Sequence, residues 1–87
     1  QKEKGTFVIV KKEHTTGCGK HYAKNTIGIV KSDLDKSDDT YAVRFPRHRE
    51  GDYSWMPDHK LEVAPDQEKA KELFDKGVEE CTTAIYK

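Results

Sequence analysis

The sequence predicts a mainly β fold with one C-terminal helix, and three observations carry that expectation. β-Branched and aromatic residues alternate with polar ones in short runs as far as Val63, the period-two pattern of half-buried strands. Gly, Pro, Asn and Asp punctuate those runs at close intervals. From Pro65 onward the apolar residues recur at steps of three and four, the period of an amphipathic helix.

In chain order, Gln1–Lys4 is a charged start expected to fray. Gly5–Val10 is β-branched and aromatic and predicts the first strand. Lys11–Lys24 predicts a long basic loop turning at Gly17 and Gly19. Loops of that length in small domains often carry function. Thr26–Lys31 and Thr40–Phe45 predict a central hairpin. In it Ile27 and Ile29 share one face, Tyr41, Val43 and Phe45 share another, and Gly28 marks a bend or a close backbone approach. The connector Ser32–Asp39 has four Asp against one Lys and must be solvated. Pro46–Asp52 predicts a turn closed by Gly51, and Tyr53–Met56 a short fourth strand broken at Pro57. Leu61 and Val63 supply a last short strand or a 3-10 turn. Pro65 suits the first helical position, with Asp66 and Glu68 at the positive end of the dipole. Ala70, Leu73, Phe74, Gly77, Val78, Cys81, Ala84 and Ile85 then form one apolar stripe. That stripe is expected to cover core on the strands, with Gly77 allowing a close backbone approach. The expected organisation is a single domain, strands over residues 1–64 and helix over 65–87.

Four of these segments, Gly5-x-x-Val8-x-Val10, Asn25-x-x-Gly28-x-Val30, Tyr41-x-Val43-Arg44-Phe45 and the closing Leu61-Glu62-Val63, carry a family resemblance. Together they resemble the small SH3-like barrels of the photosystem I accessory subunit and related electron-transport accessory chains. The resemblance covers about residues 5–64. It implies a five-stranded SH3-like barrel with an α-helical addition, and a role docking on larger proteins without catalysis. The helix is no part of that pattern.

Composition narrows the classes. A chain of 87 residues with 33% hydrophobic and 37% charged content has room for one lean core. Sixteen basic and sixteen acidic residues cancel, so bulk charge does not point to nucleic acid. Residues 1–31 nevertheless hold seven Lys and two Glu, whereas residues 66–87 hold six acids and four Lys. That polarity suits steering toward a partner. The longest continuous apolar run is Phe7–Val10, far short of a membrane span. Cys18 and Cys81 are expected as reduced thiols in a cytoplasmic protein.

Few residues assemble into a catalytic pattern. His14-x-x-x-Cys18-x-x-His21 has soft and borderline ligands, but it lacks a CxxC pair, and a polar loop explains it better than zinc. Gly17-Cys18-Gly19-Lys20 departs from a phosphate loop, since His21 follows the lysine. Cys18 beside His21 has no third group to orient the base. Asp33–Asp39 lacks the glycine and the closing Glu of a calcium loop. The expectation is therefore a non-enzymatic module without metal or cofactor. Its binding surface combines Lys11, Lys12, Lys20, His21 and Tyr22 of the first loop with Arg44, Arg47, His48, Arg49, Tyr53 and Trp55. Arg pairs with carboxylate or phosphate, and aromatic faces stack on bases or peptide. Trp55 is the member most expected to pack inside. The partner is expected to be a larger protein, with the chain acting as an accessory subunit, adaptor or inhibitor. DNA or RNA on the same surface is the alternative. No membrane is expected, and the chain should be a monomer or weak dimer.

Overall fold

The computed structural model describes residues 2–78, and the fold is mainly β with one helix. β1 (Phe7–Val10) leads into a two-stranded hairpin, β2 (His14–Thr15) with β3 (His21–Tyr22), in place of an irregular loop. β4 (Ile27–Val30), β5 (Thr40–Arg44), β6 (Ser54–Pro57) and β7 (Leu61–Val63) follow, with a 3-10 turn at Asp58–Lys60 immediately before β7. The helix α1 spans Gln67–Asp75. Five strands form one antiparallel sheet in the order β6-β5-β4-β1-β7.

The alternation read from the sequence sorts the core into two clusters on opposite faces of β1 and β4. Val8, Val10, Tyr22, Val30, Tyr41, Val43, Phe45, Met56 and Leu61 make one. Phe7, Ile9, Ile27, Ala64, Ala70 and Phe74 make the other, with Ile29 and Leu73 packed against it. Strands buried on both faces read as unbroken apolar runs, which is why FVIV is buried at every position. The second cluster is covered by α1, where Phe74 meets Phe7 edge-to-face at 5.6 Å.

Gly28 is the close approach the sequence indicated. A Cβ there would lie 2.6 Å from Val43 Cγ1 and 2.9 Å from the Phe45 ring. The side chains of β5 therefore press directly on the backbone of β4. Gly77 behaves otherwise. Its φ of +77° is left-handed, and nothing lies within 4 Å of a Cβ built on it. The Gly77 amide bonds to the Phe74 carbonyl and the Val78 amide to the Leu73 carbonyl, the paired bonds of a Schellman stop. Gly77 thus ends α1 instead of easing a helix past a neighbour. The expected stripe positions Cys81, Ala84 and Ile85 lie outside the described residues.

α1 is fastened to the sheet by its first residue. The Gln67 side-chain carbonyl accepts from the Phe7 amide at 2.8 Å, and its NH2 donates to the Phe7 carbonyl at 2.9 Å. A side-chain amide thereby takes the place of a strand residue just past the end of β7. Asp66 caps the helix by accepting from the Lys69 amide. The N-terminal segment is also held, contrary to the expected fraying: the Lys2 amide donates to the Tyr41 hydroxyl and its ammonium pairs with Asp58.

Two substitutions test this packing. Gly28→Ala should destabilise the protein by about 1–3 kcal/mol through overpacking. Gln67→Ala should cost about 1–3 kcal/mol by leaving the Phe7 amide unpaired. Urea unfolding reads both. A midpoint equal to that of the parent would contradict the corresponding contact.

Candidate binding site

The β2–β3 hairpin is set against β6 and the turn before it by one buried polar network. Tyr22, fully buried, places its hydroxyl 2.8 Å from His48 Nε2 and 2.6 Å from Ser54 Oγ. The Phe45 amide donates to His48 Nδ1 at 3.1 Å, so Nδ1 must be unprotonated. Nε2 then carries the proton and donates to the Tyr22 oxygen, which leaves the Tyr22 proton for Ser54. All members are satisfied in one direction only. The Tyr22 ring is sandwiched, with Phe45 stacked at 4.1 Å and the Arg47 guanidinium carbon 4.2 Å from its centroid. Arg47 also donates to the His21 carbonyl at 2.6 Å, a second tie between turn and hairpin.

This arrangement opens a groove of about 220 Å³ lined by His14, Thr16, Gly17, Cys18 and Lys20 of the hairpin and by Tyr53, Ser54 and Trp55. Its size is below the roughly 300–1,000 Å³ of sites that enclose a small molecule, and it suits side chains of a larger ligand. Tyr53 and Trp55 are 47% and 46% exposed and pack edge-to-face at 5.6 Å. Gly19, at φ +88°, closes the tight hairpin tip, where the Thr16 amide bonds to the Lys20 carbonyl. Lys20 lines the groove and no carboxylate does.

The residues singled out in sequence divide three ways. Lys20, Tyr53 and Trp55 meet at the groove, and Trp55, the member of the expected surface for which packing inside was the strongest alternative, stands exposed. Tyr22 and His48 are buried and form the network that positions the groove, so neither presents a surface to a ligand. Arg44 lies on the other face of β5, its guanidinium carbon 5.5 Å from the Phe74 ring, apart from the hairpin. Lys11, Lys12, His21, Arg47 and Arg49 are exposed. His21 meets Thr15 Oγ1 at 3.0 Å and Glu13 at 3.8 Å.

Sequence reasoning weighed His14 and Cys18 only as metal or thiol candidates and missed them as groove walls. His14 Nδ1 accepts from the Lys60 ammonium at 3.1 Å, which fixes its proton on Nε2. Among the described residues no three His, Cys, Asp or Glu side chains gather into a group that could hold a metal ion. No helix among them is long and apolar enough to cross a membrane. The one signal for the exposed pair was parity: Tyr53 and Trp55 are two apart, with Ser54 and Met56 facing inward.

Compared with protein-family models, curated proteins and solved structures, the chain matches none. The site is therefore read from its own geometry.

Both histidines titrate below the ordinary imidazole range. Burial and then the positive charges of Lys20 and Arg47 lower His48, with Asp52 opposing them. Burial, then Lys60, then His59 lower His14. The unfolded chain binds more protons than the folded one below about pH 6.5, so stability falls as pH drops through that region. Urea midpoints should accordingly decline between about pH 7.5 and about pH 5.5. The decline should be smaller in His48→Gln, the remainder coming from His14. A pH-independent midpoint would contradict the neutral tautomer assigned to His48.

Proposed function

We propose that this chain is a non-enzymatic protein-binding module, an accessory or adaptor unit on a small SH3-like barrel, that docks through the groove between the β2–β3 hairpin and β6. The observation that carries the reading is the pair of half-exposed aromatic rings, Tyr53 and Trp55, forming one wall of a groove whose other wall is polar and cationic. Exposed aromatic pairs beside a pocket are the usual anchors of protein interfaces, where a few such side chains dominate affinity. The strand order, the long first connection and the 3-10 turn before the last strand are in keeping with an SH3-like barrel. An accessory role agrees with the small size of the groove.

Nucleic acid is the second reading, favoured by the stacking faces of Tyr53 and Trp55 beside Lys20. A formal net charge of +0 weighs against it.

The test is selection of displayed random linear peptides on the intact chain, alongside titration with single-stranded and duplex DNA and RNA. Enriched peptides should lose about tenfold or more in affinity for Trp55→Ala, while the stability of that variant changes little. Binding to the oligonucleotides that collapses between about 50 and about 200 mM salt would replace this reading with the nucleic-acid one.

A further inference from the structure

β6 stands at one end of the strand order, so one of its edges has no strand against it. The ladder shows which backbone groups face that edge. The Ala42 carbonyl accepts from the Lys31 amide, and the Ala42 amide donates to the Ser32 hydroxyl, so both groups of Ala42 point toward β4. Ala42 lies opposite Trp55, which makes this a non-hydrogen-bonded pair of the β5–β6 ladder. The bond from the Asp58 amide to the Asp39 carbonyl sets the same phase further along. Trp55 therefore turns its N–H and C=O outward. Among the described residues neither group has a hydrogen-bond partner. Pro57, the next residue of the same phase, has no N–H to offer, so pairing beyond it is blocked.

The groove lies beside this stretch, between Trp55 and the hairpin tip, with Lys20 as a lining cation and no lining carboxylate. We infer that the Trp55 edge of β6 receives an extended, acidic segment of the partner protein as an added strand. In this arrangement the segment's backbone bonds to the Trp55 N–H and C=O, its apolar side chains lie on the Tyr53 and Trp55 rings, and a carboxylate meets Lys20. Main-chain bonds give such added strands their affinity and alternate side chains their specificity. A polypeptide offers the alternating donors and acceptors that an open strand edge requires, and a phosphodiester backbone does not. The overall neutrality of the chain agrees with a ligand held at one cationic point and not along a polyanion.

The inference rests on the protein-binding reading, and one experiment separates the two. Peptides selected from a displayed random linear library on the intact chain are synthesised with capped ends and N-methylated at each backbone amide in turn. Strand addition at Trp55 predicts that affinity drops about tenfold at the one amide that donates to the Trp55 carbonyl and little at the amides on either side of it. It also predicts slowed hydrogen exchange of the Trp55 amide in the bound state, enrichment of Asp or Glu in the selected peptides, and rejection of those peptides by Lys20→Glu. Peptides that bind and depend on the Trp55 side chain, yet show no single N-methylation-sensitive amide and no protection of the Trp55 amide, would overturn strand addition and leave the binding module standing. Enrichment no better than on Trp55→Ala would overturn both. Salt-sensitive capture of single-stranded RNA in place of peptides would do the same.

Discussion

The Tyr22 hydroxyl, held between His48 and Ser54, is the constraint on which the surface depends. A hairpin of two short strands is marginal alone, and β2 and β3 contribute two residues each. What fixes this one is a ring clamped between Phe45 and Arg47 and a hydroxyl that completes a chain of three hydrogen bonds. Because buried polar groups are costly when unpaired, the network permits one placement of the hairpin. The groove is the space left between that placement and β6, and its walls come from parts of the chain far apart in sequence.

The same interaction links sequence to charge. Lys20 and Arg47 stand close enough to the network to oppose a proton on His48. A neutral imidazole is the form that can accept from the Phe45 amide while donating to Tyr22. The basic residues of this region thus act inward, keeping the fastening intact, as well as outward toward solvent.

Much of the fold was legible because it follows from local rules. The unbroken apolar run FVIV, the alternation in TYAVR, the glycine at position 28 and the Pro65–Asp66 helix start each have a local physical reading. The five strands of the main sheet and the start of the helix appear where those readings put them, whereas the β2–β3 hairpin and the end of α1 at Asp75 do not. The site was less legible, because burial there is decided by contacts across long sequence separations. Tyr22 and His48 carry polar atoms and sit in polar stretches, yet their mutual hydrogen bond takes them inside. Trp55 is the most hydrophobic-looking residue of its strand, yet parity with Tyr53 sends it outward while Ser54 and Met56 go in. Gly77 reads in sequence as a close-packing position within the helix, and its positive φ shows that it ends the helix instead.

The two edges of the five-stranded sheet limit further strand pairing to different extents. On β7 the bonds from the Ala64 amide to the Phe7 carbonyl and from the Lys11 amide to the Lys60 carbonyl leave the backbone groups of Val63 facing outward, while the Leu61 amide is taken by the Asp58 carbonyl. That edge is three residues long, between Lys60 and the Gln67 amide that closes over Phe7. Its brevity gives a second copy too few bonds to template on. β6 is guarded by a proline at one end and left open at Trp55. One sheet thus carries a short, closed margin at β7 and, at β6, a margin whose opening is confined to the backbone of a single residue.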